Sequence, residues 1–157
     1  MANFDIESYR DYMLGLLQAG MSAKITELNT EKGDSLLTSL ASNQYLNSFN
    51  NVVNNFEQFL YYKITEIKTL ESHAGGVSRQ ISMMFVMCFT ADDWVVAEKK
   101  ILRYTRAIEE IFLAGAKAES RISDFELDVF EPDIVQLSEN SPWLQAGGVM
   151  VRGVVVT

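Results

Sequence analysis

The spacing of apolar residues changes period along the chain, and this restricts the fold more than any other feature of the sequence. Between residues 4 and 28, Ile6, Tyr9, Met13, Leu16, Leu17, Met21, Ile25 and Leu28 recur every three or four positions, the mark of an amphipathic helix. Residues 61–70 and 78–90 are instead rich in β-branched and aromatic side chains, and Ile81, Met83, Phe85, Met87 and Phe89 alternate along one face. Two strands follow from that alternation. The second is also apolar at Met84, Val86 and Cys88, which predicts a central strand covered on both faces. Residues 71–77, with adjacent Gly75 and Gly76, predict an antiparallel hairpin with a tip of several residues.

A helical period then returns. Thr90 reads as an N-cap with Asp93 at the third helical position. Val95, Ile101, Leu102, Thr105, Ile108 and Phe112 then line one face of a long helix ending near Gly115 or soon after. Strict alternation over residues 121–130 sets Ser123, Phe125, Leu127 and Val129 against Asp124, Glu126 and Asp128, a half-buried strand. Pro132 and Pro142 bracket a polar connection, Gly147 and Gly148 read as a turn, and valines close the chain in a last strand.

Two stretches are less regular. Residues 29–42, containing Gly33 and Asp34, read as a connection. Tyr45, Leu46, Phe49, Val52, Val53, Phe56, Phe59 and Leu60 fall on a helical stripe opposite asparagines, a second helix or an irregular packed segment. The order predicts a single domain over residues 1–157 of the α+β class. Its sheet is mostly antiparallel, a hairpin plus two C-terminal strands, packed against an N-terminal helix and a long central helix.

Charge narrows the function. The net charge is −8, and residues 109–139 hold nine carboxylates against only Lys117 and Arg121. Such a balance argues against gripping the outside of a nucleic-acid duplex, which takes a basic surface. A like-charged block reads first as a solvated face; the alternative is a surface turned toward another polyanion or a basic partner. Lys99, Arg103 and Arg106 share one side of the central helix, where Arg106 can pair with Glu110; that stripe is either solvent face or a docking surface for an acidic neighbour.

Catalytic patterns are missing from the sequence. His73, the single histidine, sits among hairpin glycines, and Cys88, the single cysteine, reads as an inert buried thiol. Together they cannot supply a Cys/His zinc site or an intramolecular disulfide. The row Asp124, Glu126 and Asp128 spaces carboxylates ~6.5 Å apart, which could hold a hard cation only with further ligands. No phosphate-binding glycine loop or nucleophile elbow occurs. The expectation is a protein that is not an enzyme and takes no cofactor or metal. The longest apolar run, residues 83–89, is far short of the ~20 residues of a membrane span, so no membrane contact or export is expected.

The informative features are those a monomer would find awkward. Val149, Val151 and Val155 alternate with Met150, Arg152, Val154 and Val156, so an edge position would invite aggregation. The strand must be central in its own sheet or covered by another chain. The hairpin tip, with His73, Gly75, Gly76 and Arg79, is a second place where a neighbour could be met.

The N-terminal helix around Ile6–Leu17, the strand 81–89, the helix 94–111 and the valine-rich end, in that order, resemble the tail terminator family of long-tailed bacteriophages. The asparagine-rich stretch 47–55 departs from its compact pattern. The resemblance implies a virion structural protein of the phage tail or neck, soluble in the host cytoplasm before assembly. It would form a homo-oligomeric ring, commonly a hexamer, that caps the tail tube at its head-proximal end. Its partners would be copies of itself, the tail tube protein and a neck or head-completion protein, with DNA passing through the lumen without specific binding. On that reading Asp124, Glu126 and Asp128 line the channel or a subunit seam. His73, Gly75, Gly76, Arg79, Lys99, Arg103, Arg106, Met150, Arg152, Val154 and Val156 would lie at subunit interfaces. The alternatives are another head–tail connector or tail-tube component, or a monomeric α+β ligand-binding domain whose pocket is lined by Phe49, Phe56, Phe59, Tyr61, Phe85 and Phe89.

Overall fold

The structure, a computed structural model, describes residues 4–47, 57–90, 93–136, 139 and 143–157. Helix α1 spans Ile6–Lys32, with Asp5 as N-cap accepting the Ser8 amide at 2.9 Å. Tyr9, Met13, Leu17, Met21, Ile25 and Leu28 are its buried face. It runs past the connection predicted from residue 29 because Gly33 closes it in the left-handed conformation, φ 68°. The Gly33 amide donates to Thr30 O and that of Asp34 to Asn29 O, the double bond that satisfies the last carbonyls of a helix.

The described ends of the second predicted helix are strand, not helix. A 3-10 turn, Ser42–Gln44, leads into strand β1, Tyr45–Leu46, and strand β2 begins at Gln58 and runs to His73. Residues 48–56 of that predicted helix lie outside the described residues. β1 pairs in parallel with Leu60 and Tyr61 of β2. Phe59, Leu60 and Tyr61 are large and apolar in succession, which suits a strand buried on both faces as well as a helical stripe.

Strand β3, Gly76–Thr90, returns antiparallel from β2. The hairpin tip is tighter than predicted: His73 already pairs with Gly76, so only Ala74 and Gly75 form the turn. Thr90 does not cap the next helix; it ends β3, its amide donating to Glu57 O. Asp93 is the cap instead, its Oδ1 accepting the Val95 and Val96 amides at 3.0 and 3.2 Å, and helix α2 is Trp94–Ala118. Ile101, Thr105, Ile108 and Phe112 are buried as predicted, joined by Ala97, Tyr104 and Ile111. Val95 and Leu102, placed on that face from the sequence, are 64% and 53% exposed.

Strand β4, Ser123–Gln136, continues through Pro132 rather than stopping before it. Proline is tolerated because β4 is an edge strand and its register shifts between Phe130 and Asp133, where no ladder bond needs an amide. Strand β5, Trp143–Val156, lies between β3 and β4, giving the sheet order β1-β2-β3-β5-β4, antiparallel except for β1–β2. The closing valines are therefore central, and Val149, Val151 and Val155 are fully buried. Gly147 and Gly148 are not a turn but mid-strand positions. A Cβ on Gly147 would lie 2.3 Å from Ile101 Cγ2, so its bare backbone is where α2 seats on the sheet.

Both helices contribute to one core with the odd-numbered residues of β3 and β5. Phe85 packs on Phe112 with ring centroids 4.8 Å apart and Phe89 on Tyr104 at 5.3 Å. A smaller cluster on the opposite face joins Phe59, Tyr61, Cys88, Leu144 and Ala146, with no helix residue among the described ones.

Candidate interaction surfaces

Two of the three members of the basic stripe on α2 are already partnered within the chain. Arg103 Nη1 donates to both carboxylate oxygens of Asp34 at 2.8 Å. Arg106 reaches Glu31 at 2.9 Å and, one turn on, Glu110 at 2.7 Å, the pairing expected from their spacing. Lys24 joins the same group through Glu110 and Glu27. Lys99 is exposed and makes no ion pair among the described residues. The stripe thus clamps the C-terminal end of α1 onto α2. The sequence held no signal for Asp34 and Glu31 as partners, since they lie 69 and 75 residues from the arginines they meet.

The Arg106 guanidinium, with Lys32, holds the Glu31 carboxyl down at about 2, and Arg103 lowers that of Asp34. A carboxylate whose folded pKa lies below its unfolded value contributes stability above the unfolded value, and that contribution is lost as pH falls through the folded one. We therefore expect the urea midpoint to fall between about pH 5 and about pH 2. The double variant Glu31→Gln, Asp34→Asn should lose less over that range than the parent; an equal loss would dismiss the clamp.

The acidic strand is less regular than its alternation predicts. Asp124 has φ 47°, and the register shifts between Ser123 and Glu126, so the bulge interrupts the row before Glu126. Glu126 and Asp128 do share a face, opposite Arg152 and Met150 of β5. Arg152 Nη1 lies 2.6 Å from Asp128 Oδ2 and 3.5 Å from Glu126 Oε2, which leaves one carboxylate charge in excess. Among the described residues, no three His, Cys, Asp or Glu side chains gather as a metal site would need.

At the hairpin-tip end of the sheet, where β4 also begins, Val77 and Thr157 exchange backbone hydrogen bonds, and Arg79 donates to the Thr157 hydroxyl. Gly76, φ 141°, packs so close to the Thr157 carbonyl that a Cβ would lie 2.9 Å from it. Gly75 occupies the exposed turn, and the backbone of His73 is in the ladder. Val154 is buried, Met150 and Arg152 are half-buried, and Val156 is exposed. Cys88 is buried and free, and burial pushes its thiol up to about 12.

The aromatic set does not line one cavity. Phe85 and Phe89 face the helices, Phe59 and Tyr61 the opposite side, and Phe49 and Phe56 lie outside the described residues. An open groove of about 800 Å³ lies elsewhere, between α1 and α2, walled by Tyr12, Gly15, Leu16, Ala19 and Ile111. The surface the sequence reading missed is a shoulder beside β4, where Trp94, Val95 and Ile134 line one groove and Leu102, Val129 and Trp143 are further exposed apolar side chains on α2, β4 and β5. Its signal was present: Val95 and Leu102 lie outside the phase of Ala97, Ile101, Tyr104 and Ile108. Among the described residues, no helix is long and apolar enough to cross a membrane. No protein-family model matches the chain, and a search of curated proteins finds no match.

Proposed function

We propose that the chain is a structural assembly protein, a phage tail terminator that closes as a homo-oligomeric ring on the tail tube and joins it to the neck. The observation that carries this reading is the one-sided sheet. Both helices pack on the same face, while among the described residues the other bears no helix and carries Glu126 and Asp128 near its outer edge. In a ring with the helices outward, that face lines the lumen. A lining with excess carboxylate does not hold phosphate, and DNA slides past it rather than being retained. The element order, helix, hairpin, long capped helix and two further strands, supports the same reading through its resemblance to the terminator family.

Light scattering and negative-stain images of the purified chain, alone and with tail tubes, test the proposal. Closed rings are the expected result, with no retention of duplex DNA by the parent and salt-dependent retention by Asp124→Lys, Glu126→Lys, Asp128→Lys rings. A monomer at every concentration that also ignores tail tubes would remove the reading. The groove between α1 and α2 favours a second reading, a small-molecule-binding domain, which calorimetry with apolar ligands would reveal.

A further inference from the structure

Both outer strands of the sheet are open among the described residues. β1 covers β2 only at Leu60 and Tyr61, so residues 62–73 have β3 as their one strand partner, and β4 pairs only with β5. Open edges template pairing with another chain unless something blunts them. Here bulges do so in part: β2 is irregular between Ile64 and Glu66 and between Thr69 and Glu71, and β4 between Ser123 and Glu126 and between Phe130 and Asp133. Regular stretches remain at residues 62–64, 66–69 and 71–73 on one edge and at 126–130 and 133–136 on the other.

The window 66–69 shows one exposed apolar side chain, Ile67 at 47%; on β4 the longer window, 126–130, shows Val129 at 51%, and Ile134 is exposed in the shorter one beyond the bulge. Both point to the helix side, since Ile67 is level with buried Ile81 and Val129 with buried Val149. On the opposite side β2 presents Lys68 and, two residues before it, Glu66, and β4 presents Glu126 and Asp128, which share Arg152.

We propose that β2 of one copy adds to β4 of the next, antiparallel, with Ile67 beside Val129 and Lys68 beside Asp128. This rests on the ring reading above and names the seam that would build the ring. Strand direction is consistent with it: β2 and β5 run one way, β3 and β4 the other. Rotation about an axis along the strands leaves directions unchanged, so β4 meets an oppositely directed β2, and a head-to-tail contact of this kind closes into a ring when the rotation closes. Charge selects the partner. β4 carries Asp124, Glu126, Asp128, Glu131 and Asp133 with no base, so pairing β4 with itself would set like charges together, whereas Lys68 offsets the carboxylate that Arg152 leaves unmatched. Charge also selects the register. Sliding by two residues to set Ile67 beside Leu127 would set Lys68 beside Glu126 but also bring Glu66 against Asp128, while in the proposed register Lys68 keeps a carboxylate and Glu66 meets Phe130.

The test is the full chain carrying Ile67→Cys and Val129→Cys, with buried Cys88 left in place, oxidised and analysed by non-reducing gels, peptide mapping and negative-stain images. Directly opposed strand positions have the Cα separation a disulfide accepts. Expected are disulfides joining positions 67 and 129 of different copies in closed rings, a link yield about fivefold lower in Lys68→Glu, and recovery when Asp128→Lys is added. Rings whose links join 67 to 67, or that form no link, would overturn the edge pairing and leave the ring reading standing. Linked open filaments would support the pairing and overturn the ring. Unlinked monomers throughout would overturn both.

Discussion

Truncating Phe112 to alanine is expected to destabilise the fold by about 3–5 kcal/mol, the range for removing a fully buried aromatic ring from a core that cannot collapse around the gap. Phe112 is fully buried and packs against Phe85, which in turn stacks with Tyr62 at 6.3 Å. The ring therefore ties α2 to the two strands of the hairpin at once. Relaxation is restricted because β3 is held by ladders on both sides and cannot move inward alone. Urea unfolding followed by far-UV circular dichroism should show a lower midpoint with an unchanged slope, the sign of lost stability rather than of an altered unfolded state. Leu113→Ala, one position on and exposed, supplies the control and should stay within about 0.5 kcal/mol of the parent. A Phe112→Ala midpoint equal to that of Leu113→Ala would mean that α2 does not carry the core as described.

Where burial is one-sided, the period of the sequence was enough to read the fold. α1 was legible from Tyr9, Met13, Leu17, Met21, Ile25 and Leu28, and β3 from five alternating apolar residues, because each buries the face its period defines. Legibility failed where one residue type serves two ends. Gly147 and Gly148 looked like a turn, yet the missing side chain at Gly147 is used for close approach of a helix within a strand. Pro132 looked like the end of β4, yet an edge strand admits it at a bulge. Thr90 and Asp93 are both good caps, and the ladder bond from Thr90 to Glu57 decided between them.

The candidate surfaces divide in the same way. The pairing of Arg106 with Glu110 is local and was visible, whereas Arg103 with Asp34 depends on how α1 ends beside α2. The acidic row was visible as composition, and Arg152 opposite Asp128 required the β4–β5 register. Registers are set by bulges, and neither bulge in β4 leaves a mark in the hydrophobic alternation beyond Pro132.

The seat of α2 on the sheet leaves Gly147 no room for a side chain on the helix side. Gly147→Val is expected to destabilise by about 3 kcal/mol, the upper end of what overpacking a filled core produces, with only a fraction of ~1 kcal/mol returned by the better strand propensity of valine. The reason is the identity of the facing atom. Ile101 Cγ2 stands 2.3 Å from where the Cβ would be, and a β-branched side chain on a helix has one favoured rotamer, so it cannot turn aside. The Cα of Pro132 lies 3.5 Å away on the β4 side, which closes the other direction of escape. Relief must come from α2 lifting at its N-terminal half, which carries Trp94 and Val95 on the exposed shoulder. Adding Ile101→Ala should give a double variant more stable than the sum of the two single losses, by an interaction energy within the ~0.5–3 kcal/mol seen for touching residues. Strict additivity in urea unfolding would show that Ile101 does not rest on Gly147.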